Sequence, residues 1–389
     1  MRLRRTDFRD ARNYAAAVAS EVAAPALRLL ARSISRGKSS EPNSWRTGII
    51  LGNGHIGDAL YRTCSLEQLA SALPQCRWSY LTTPAAAVVL RDNPALDEIL
   101  PLCTSDSASS VLASDRAALR ARRFDVALCT ENTRGYEALM LAVRLGIPNR
   151  VAFVQKGFSG LATVGVRLPV PMSRPSQFRQ MVETITHSSD KSPLRPRVFP
   201  SAVDRARAEA EWQRLGISDG SAVIACALTT RQTTGHFPPP FFRDVLQQAI
   251  SFHPGLRVVF VGSTDDAPLL TAEAVRIGAA ASVSAGKLDI RAMVALLGRC
   301  SAFLGSDSGP RHLANAAQIP VFFVRNMGGS AAESGWYCET EHDVAPAGEY
   351  LSSAEMERAL AAVNRTVVAR ALITAVASGA RGIAADMRR

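Results

Sequence analysis

Two short segments hold residues whose types and spacing suit chemistry. The first is Gly52-Asn53-Gly54-His55-Ile56-Gly57-Asp58. Its G-x-G-x-x-G spacing follows an apolar run, so the glycines would let a strand-to-helix turn approach a ligand while the helix start offers N–H donors. A nicotinamide enzyme would need an acid about 20 residues on, ending the second strand, to hold a ribose. That strand ends Leu81-Thr82-Thr83-Pro84 and has none. Asp58 is then open to two readings: a helix cap contributing about 1 kcal/mol, or a carboxylate serving as a general base, with His55 as the alternative base.

The second segment is Gly305-Ser306-Asp307-Ser308-Gly309-Pro310-Arg311-His312-Leu313-Ala314. Pro310 suits a first helical position, Gly309 a strained turn before it, and the first-turn N–H groups an anion cradle into which a diphosphate fits. His312 either donates to a phosphate oxygen or is a satisfied histidine under the sheet rim. Two further segments follow apolar runs: Ala227-Leu228-Thr229-Thr230-Arg231, continuing to Gly235-His236-Phe237-Pro238, and Gly262-Ser263-Thr264-Asp265-Asp266. Hydroxyls, a cation and an acid at strand carboxyl ends lie where open α/β sheets bind ligands. D-x-D, G-x-S-x-G, H-E-x-x-H and P-loop patterns do not occur, so metal-diphosphate, serine-hydrolase, zinc-protease and P-loop chemistry are unsupported.

Positioning these segments requires parallel strands with crossover helices. From Arg46 short apolar runs alternate with helical stretches: TGIILGNG, DALYRTCSLEQLASAL read as one helix, WSYLTT, a helical PAAAVVLRDN, EILPL, a helix over 108–122 and FDVALCT. A second series begins after the Pro- and Ser-rich stretch 188–201. Both read as α/β layers. The 389 residues, 47% hydrophobic and 20% charged, supply two ordinary cores and exclude wholesale disorder. Net charge is +11, but residues 1–40 carry nine Arg/Lys against three acids. Such concentration argues against nucleic-acid binding spread over the fold. In this leader Arg28, Arg32 and Arg36 form one row and Leu27, Leu30 and Ile34 another, the pattern of an amphipathic helix that docks on the body or on a membrane surface. Residues 37–45 read as a linker. Seven scattered cysteines lack C-x-x-C spacing and give neither a disulfide framework nor a zinc site. No 18-residue apolar run occurs, and the expected location is cytoplasmic.

GNGHIGDALYRTCSLEQL, ALTTRQTTGHFPPPFF and SDSGPRHLANAAQIPVFFVRN together resemble glycosyltransferase family 9, the heptosyltransferase-like enzymes of lipopolysaccharide core assembly. The resemblance covers roughly residues 46–350, and D-S-G-x-x-H-L-A is its most specific part. It implies a GT-B fold, two Rossmann-like doubly wound parallel-sheet domains facing across a cleft. The implied division is a leader and linker (1–45), an acceptor domain (46–200), a nucleotide-sugar donor domain (201–352) and a helical segment (353–389) packing back toward the first domain. It further implies inverting, metal-independent transfer of a sugar from a nucleotide-sugar donor, typically ADP-heptose, to a glycan or glycolipid acceptor, without a cofactor. By position Asp58 matches the catalytic aspartate; Gly54, His55 and Gly57 lie in the acceptor-side loop. Thr229 and Thr230 match the donor-contacting pair, Asp307, Ser308, Gly309 and His312 the diphosphate and sugar site, Leu288 a base-contacting residue and Asp266 an acid near the ribose or base. The family often carries Lys before the His/Trp-Pro element, whereas Gly235 precedes His236 here, and Arg231 is the replacement cation. Acceptor contacts are expected in first-domain loops, with Arg91, Asn132 and Arg134 suited to acidic sugars. A nucleotide-sugar epimerase and a catalytically silent nucleotide-sugar-binding protein are the rival readings, and contact of the leader with an anionic membrane the expected peripheral interaction.

Overall fold

Uninterrupted runs of Val, Ile, Leu and Ala form strands covered on both faces, and in this chain they build two six-stranded sheets. The computed structural model describes residues 11–386 except 53, 106, 108–109, 131–134, 169–171, 231–237, 326–336, 339 and 346–351. The chain divides into unit 1, ending at Ser192, and unit 2, starting at Pro193.

Unit 1 runs through α1 (Ala11–Val22), α2 (Ala24–Ile34), β1 (Thr47–Leu51), α3 (Ile56–Thr63), α4 (Leu66–Ala72), β2 (Arg77–Leu81), α5 (Pro84–Ala87) and β3 (Glu98–Leu100). It continues with α6 (Ala113–Ala121), β4 (Val126–Cys129), α7 (Gly135–Arg144), β5 (Asn149–Phe153), β6 (Val164–Val166) and α8 (Arg174–Thr186). Its sheet order is β3-β2-β1-β4-β5-β6, with every neighbouring pair parallel. Ile49, Ile50 and Leu51 of the central strand are fully buried.

Unit 2 contains α9 (Ala202–Arg214), β7 (Val223–Ala227), α10 (Pro239–Phe252), β8 (Arg257–Gly262), α11 (Ala267–Ile277), β9 (Ala281–Ala285) and α12 (Ile290–Leu297). Then come β10 (Ala302–Ser306), α13 (Gly309–Ala316), β11 (Val321–Val324), β12 (Glu341–Asp343), α14 (Ser353–Ala362) and α15 (Arg365–Asp386). The order β12-β11-β10-β7-β8-β9 is again all parallel. Each sheet is therefore doubly wound: two strands grow to one side of the first, and the next three to the other. Helix boundaries are set locally, as where Ser201 and Asp204 form a capping box for α9. Val368, Ala369, Leu372 and Val376 of α15 enter the unit-2 core beside Phe241, Phe242 and Val245 of α10.

Two helices differ from the sequence reading. The stretch 58–73 is two helices, because Ser65 leaves helical dihedrals (φ −131°) between α3 and α4. The helix expected over 108–122 begins only at Ala113, since Val111 instead forms a bridge with Cys103.

The leader is built into unit 1. Ala17, Ala24 and Ala31 are buried, and Leu27 and Ile34 pack against the core. Leu30, placed by periodicity in the same apolar row, instead faces outward. Close approach is possible because glycines line the receiving surface: a Cβ on Gly160 would lie 2.3 Å from the Ala24 carbonyl oxygen. Glu21 accepts hydrogen bonds from the Ser159 N–H (2.9 Å) and hydroxyl (2.7 Å), and Arg150 donates to the Ser35 hydroxyl (3.0 Å). The segment read as a linker is pinned too, with Trp45 buried and Asn149 Oδ1 accepting from Ser39 and Ser40. Because the contact is backbone to backbone, Gly160→Val should detach α1 and α2 and destabilise unit 1 by about 1–3 kcal/mol, the usual cost of overpacking. Hydrogen exchange should speed up across 11–34 in that variant; unchanged protection there would contradict the packing.

Candidate functional site

In a doubly wound sheet the crevice opens at the carboxyl ends of the two strands where the winding reverses. In unit 1 these are β1 and β4; in unit 2, β7 and β10. Gly52 to Asp58 follows β1, Thr229 and Thr230 follow β7, and Asp307 to His312 follow β10. Both chemistry-bearing segments thus fall at switch points.

At the unit-1 switch point hydroxyls fix the glycine loop. Thr130, after β4, donates to the Leu51 carbonyl (3.0 Å), and Thr83, after β2, donates to the Gly54 carbonyl (2.9 Å). Gly52 is required by a neighbour within the fold: a Cβ there would sit 2.7 Å from the Tyr80 hydroxyl oxygen. The N-cap of α3 is the exposed His55, which makes no side-chain cap. Asp58 lies in the first turn and is half-buried, so it is not the N-cap residue. Beneath it Arg62 is buried and donates to the Asp58 carbonyl (2.9 Å) and the Thr130 carbonyl (3.3 Å), tying the α3 start to the end of β4. Burial pushes the Tyr80 phenol pKa up, and the neighbouring Arg62 guanidinium pulls the other way.

The unit-2 switch point is closed by Ser306, whose hydroxyl donates to the Thr229 carbonyl (2.8 Å) across the β7–β10 boundary. Ser308 is the N-cap of α13 but makes no capping bond; its hydroxyl lies 3.2 Å from that of Ser306. Pro310 occupies the first turn, as its fixed φ favours. Gly309 has no positive φ, and a Cβ there would meet nothing within 4 Å. A strained turn is therefore not what places glycine at 309; the space beside it is open.

Below this turn lies a buried ionic network that periodicity did not reveal. Arg311 is completely buried. It donates to Asp307 Oδ1 (2.6 Å) and Glu341 Oε1 (2.7 Å), with its guanidinium 3.6 Å over the Phe323 ring. Asn315 donates to the same Glu341 oxygen (2.7 Å), and the Tyr337 N–H donates to Glu341 Oε2 (3.0 Å). The Tyr337 hydroxyl stands 3.0 Å from His312 Nδ1. Beside this cluster Arg325 donates to Asp343 (2.5 Å), whose carboxyl pKa burial pushes up against the pull of that cation. The available signal was an arginine four residues after Asp307, a spacing that pairs side chains on a helix face.

Asp266 and Leu288 belong to unit 2, Arg91 to unit 1. Asp266, after β8, accepts from the Ser263 N–H and hydroxyl (2.7 Å each) and holds the turn into α11. Leu288 is half-buried in the loop after β9, and Arg91 is exposed after α5. Arg231, His236, Asn132 and Arg134 lie outside the described residues. Among the described residues no group of three His, Cys, Asp or Glu is placed to hold a metal ion.

Two doubly wound sheets, each with a glycine-bearing loop at its switch point, follow the plan of the GT-B fold. The family model described as glycosyltransferase family 9 (heptosyltransferase) matches residues 113–323, more than half of the chain, and the chain belongs to that family. It is a glycosyltransferase of GT-B fold. Among solved structures it is similar to a family 9 glycosyl transferase from Veillonella parvula DSM 2008, with 18% identity, 89% of this chain and 100% of that one covered, and TM-score 0.71. It is also similar to E. coli ADP-heptose lps heptosyltransferase II (17%, 86% and 99%, 0.66) and to E. coli heptosyltransferase WaaC with ADP (15%, 85% and 99%, 0.61). No curated protein matches the chain significantly.

Arg311→Met keeps length while stranding Glu341 without its cation. Breaking a buried pair in this way costs about 3–5 kcal/mol, so thermal unfolding of unit 2 should fall by several degrees. Unaltered unfolding would show the network to be energetically neutral.

Proposed function

We propose that the enzyme transfers a heptose from ADP-heptose to a bacterial surface-glycan or lipopolysaccharide-type acceptor, with inversion at the anomeric carbon and without a metal ion. The observation that carries the reading is the pair of switch-point loops, one presenting a first-turn carboxylate at Asp58 and the other a helix start at Gly309 with His312 one turn in. The donor and acceptor classes are supported by the printed names of the similar structures, one an ADP-heptose lps heptosyltransferase and one holding ADP.

In this mechanism the acceptor hydroxyl attacks the anomeric carbon from the face opposite the departing ADP. The new carbon–oxygen bond forms as the bond from that carbon to the diphosphate oxygen breaks, and the hydroxyl proton passes to the Asp58 carboxylate. Negative charge developing on the diphosphate is stabilised by the α13 helix start and His312. Thr229, Thr230, Asp266 and Leu288 line the same sheet edge and contact the nucleoside and sugar; Arg231 and His236 are assigned there by sequence. Asp58→Asn keeps the side chain's size and removes its charge. Transfer should fall by roughly 10² to 10⁴, the range for a lost general base, with ADP binding and thermal stability near wild type. Wild-type turnover in Asp58→Asn would return this residue to a structural role.

The same reading places the enzyme in the cytoplasm, at the inner face of an anionic membrane. No single helix among the described residues is long and apolar enough to cross a bilayer. The leader nevertheless turns Val22 (80% exposed), Leu29 (67%) and Leu30 (53%) outward, and Arg28 and Arg32 of α2 are exposed as well. Each basic residue near an anionic surface contributes about 1 kcal/mol, and the apolar side chains add area removed from water. The protein should sediment with phosphatidylglycerol vesicles and much less with phosphatidylcholine ones. Replacing Leu29 and Leu30 by Ser should weaken sedimentation several-fold; equal sedimentation would reduce this face to ordinary surface.

A further inference from the structure

His312 has a buried partner whose role is not explained by packing. The Tyr337 hydroxyl lies 3.0 Å from His312 Nδ1, with the two rings 5.8 Å apart and 76° inclined. Tyr337 is 2% exposed and His312 8%, so water does not readily substitute for either group. Tyr337 is itself fixed from behind. Its N–H donates to Glu341 Oε2, and the other oxygen of that carboxylate accepts from Arg311 and Asn315 of the helix that carries His312. The phenol and the imidazole are thus held against one another by a closed circuit from α13 through Glu341 and back.

A neutral imidazole has one N–H and one acceptor nitrogen, and the partner of one nitrogen decides where the proton sits. A phenol is a good donor and an imidazole nitrogen a good acceptor, and a hydroxyl that donates to Nδ1 leaves the ring proton on Nε2. The opposite tautomer would leave a lone pair at Nε2, and a lone pair cannot donate to an anionic oxygen. We propose that Tyr337 is a positioning residue that fixes His312 as the Nε2–H tautomer, and that this N–H is what the histidine offers to the donor's diphosphate. The proposal rests on the diphosphate reading of the α13 start given above, to which it adds the group that makes His312 a donor without a positive charge.

The test reads tautomer and affinity separately. Nitrogen NMR of protein labelled at histidine, with His312→Gln to assign the signal, reports the protonated nitrogen at pH about 8, above the ordinary histidine range. ADP binding is followed by calorimetry. Wild type should show a single Nε2–H tautomer. Tyr337→Phe keeps the ring and its packing; it should give a mixture of tautomers and weaken ADP about three- to tenfold, as expected for one hydrogen bond. Adding Tyr337→Phe to His312→Ala should cost nothing further. An Nδ1–H signal in wild type, or a tautomer and affinity both unchanged in Tyr337→Phe, overturns the proposal. A tautomer that changes while ADP affinity does not, together with a silent His312→Ala, overturns it through the diphosphate reading instead, so the two failures are distinguishable.

Discussion

A doubly wound parallel sheet cannot avoid one gap. Where strands are added first to one side of a central strand and then to the other, the two adjoining connections leave on opposite faces and their backbone groups at the strand ends separate. In this chain that gap occurs twice, at β1–β4 and at β7–β10, and hydroxyl side chains answer it both times. Thr130 bonds the Leu51 carbonyl in unit 1, and Ser306 bonds the Thr229 carbonyl in unit 2. The loops after β1 and β10 start from these closures, so their geometry inherits the rigidity of the sheets rather than the freedom of loops.

Unit 2 adds a second constraint, a charge taken wholly out of water. A buried guanidinium is tolerable only if its donors and its flat faces are all used. Arg311 uses two carboxylates and an aromatic ring, and these come from three places: the turn before α13, β12 and β11. Its cost is offset only when all three are in register. The residue therefore acts as a check on assembly, because a helix start displaced from the strands would leave the cation unpaired.

The sequence made β1 to β4, β7 to β11 and both loops legible, because parallel strands buried on both faces are continuous apolar runs and glycines and proline mark the turns after them, whereas β5 and β6 did not stand out. The same signals failed where function of another kind displaced periodicity. The strand β12 is Glu341-His342-Asp343, with no apolar pattern, because its side chains serve Arg311 and Arg325. The break at Ser65 carries no glycine or proline. Leu30 matched the apolar row of its helix by spacing, yet the glycine-lined surface accepts alanines there and leaves the leucine outside. Arg311 read as a variable position between Pro310 and His312, since its partner Glu341 is 30 residues away and only the fold brings them together.

The docked leader has a consequence for the order of events during synthesis. Its anchoring bonds, from Phe158 and Ser159 to Ser20 and Glu21, join residues 138 apart in the chain. Contacts of such separation form late, because the intervening loop must be closed first. These two helices are therefore obliged to wait until β5 and the turn after it have left the ribosome. During that interval their alanine face is uncovered, and the leader is available to whatever surface it meets before its own protein is complete.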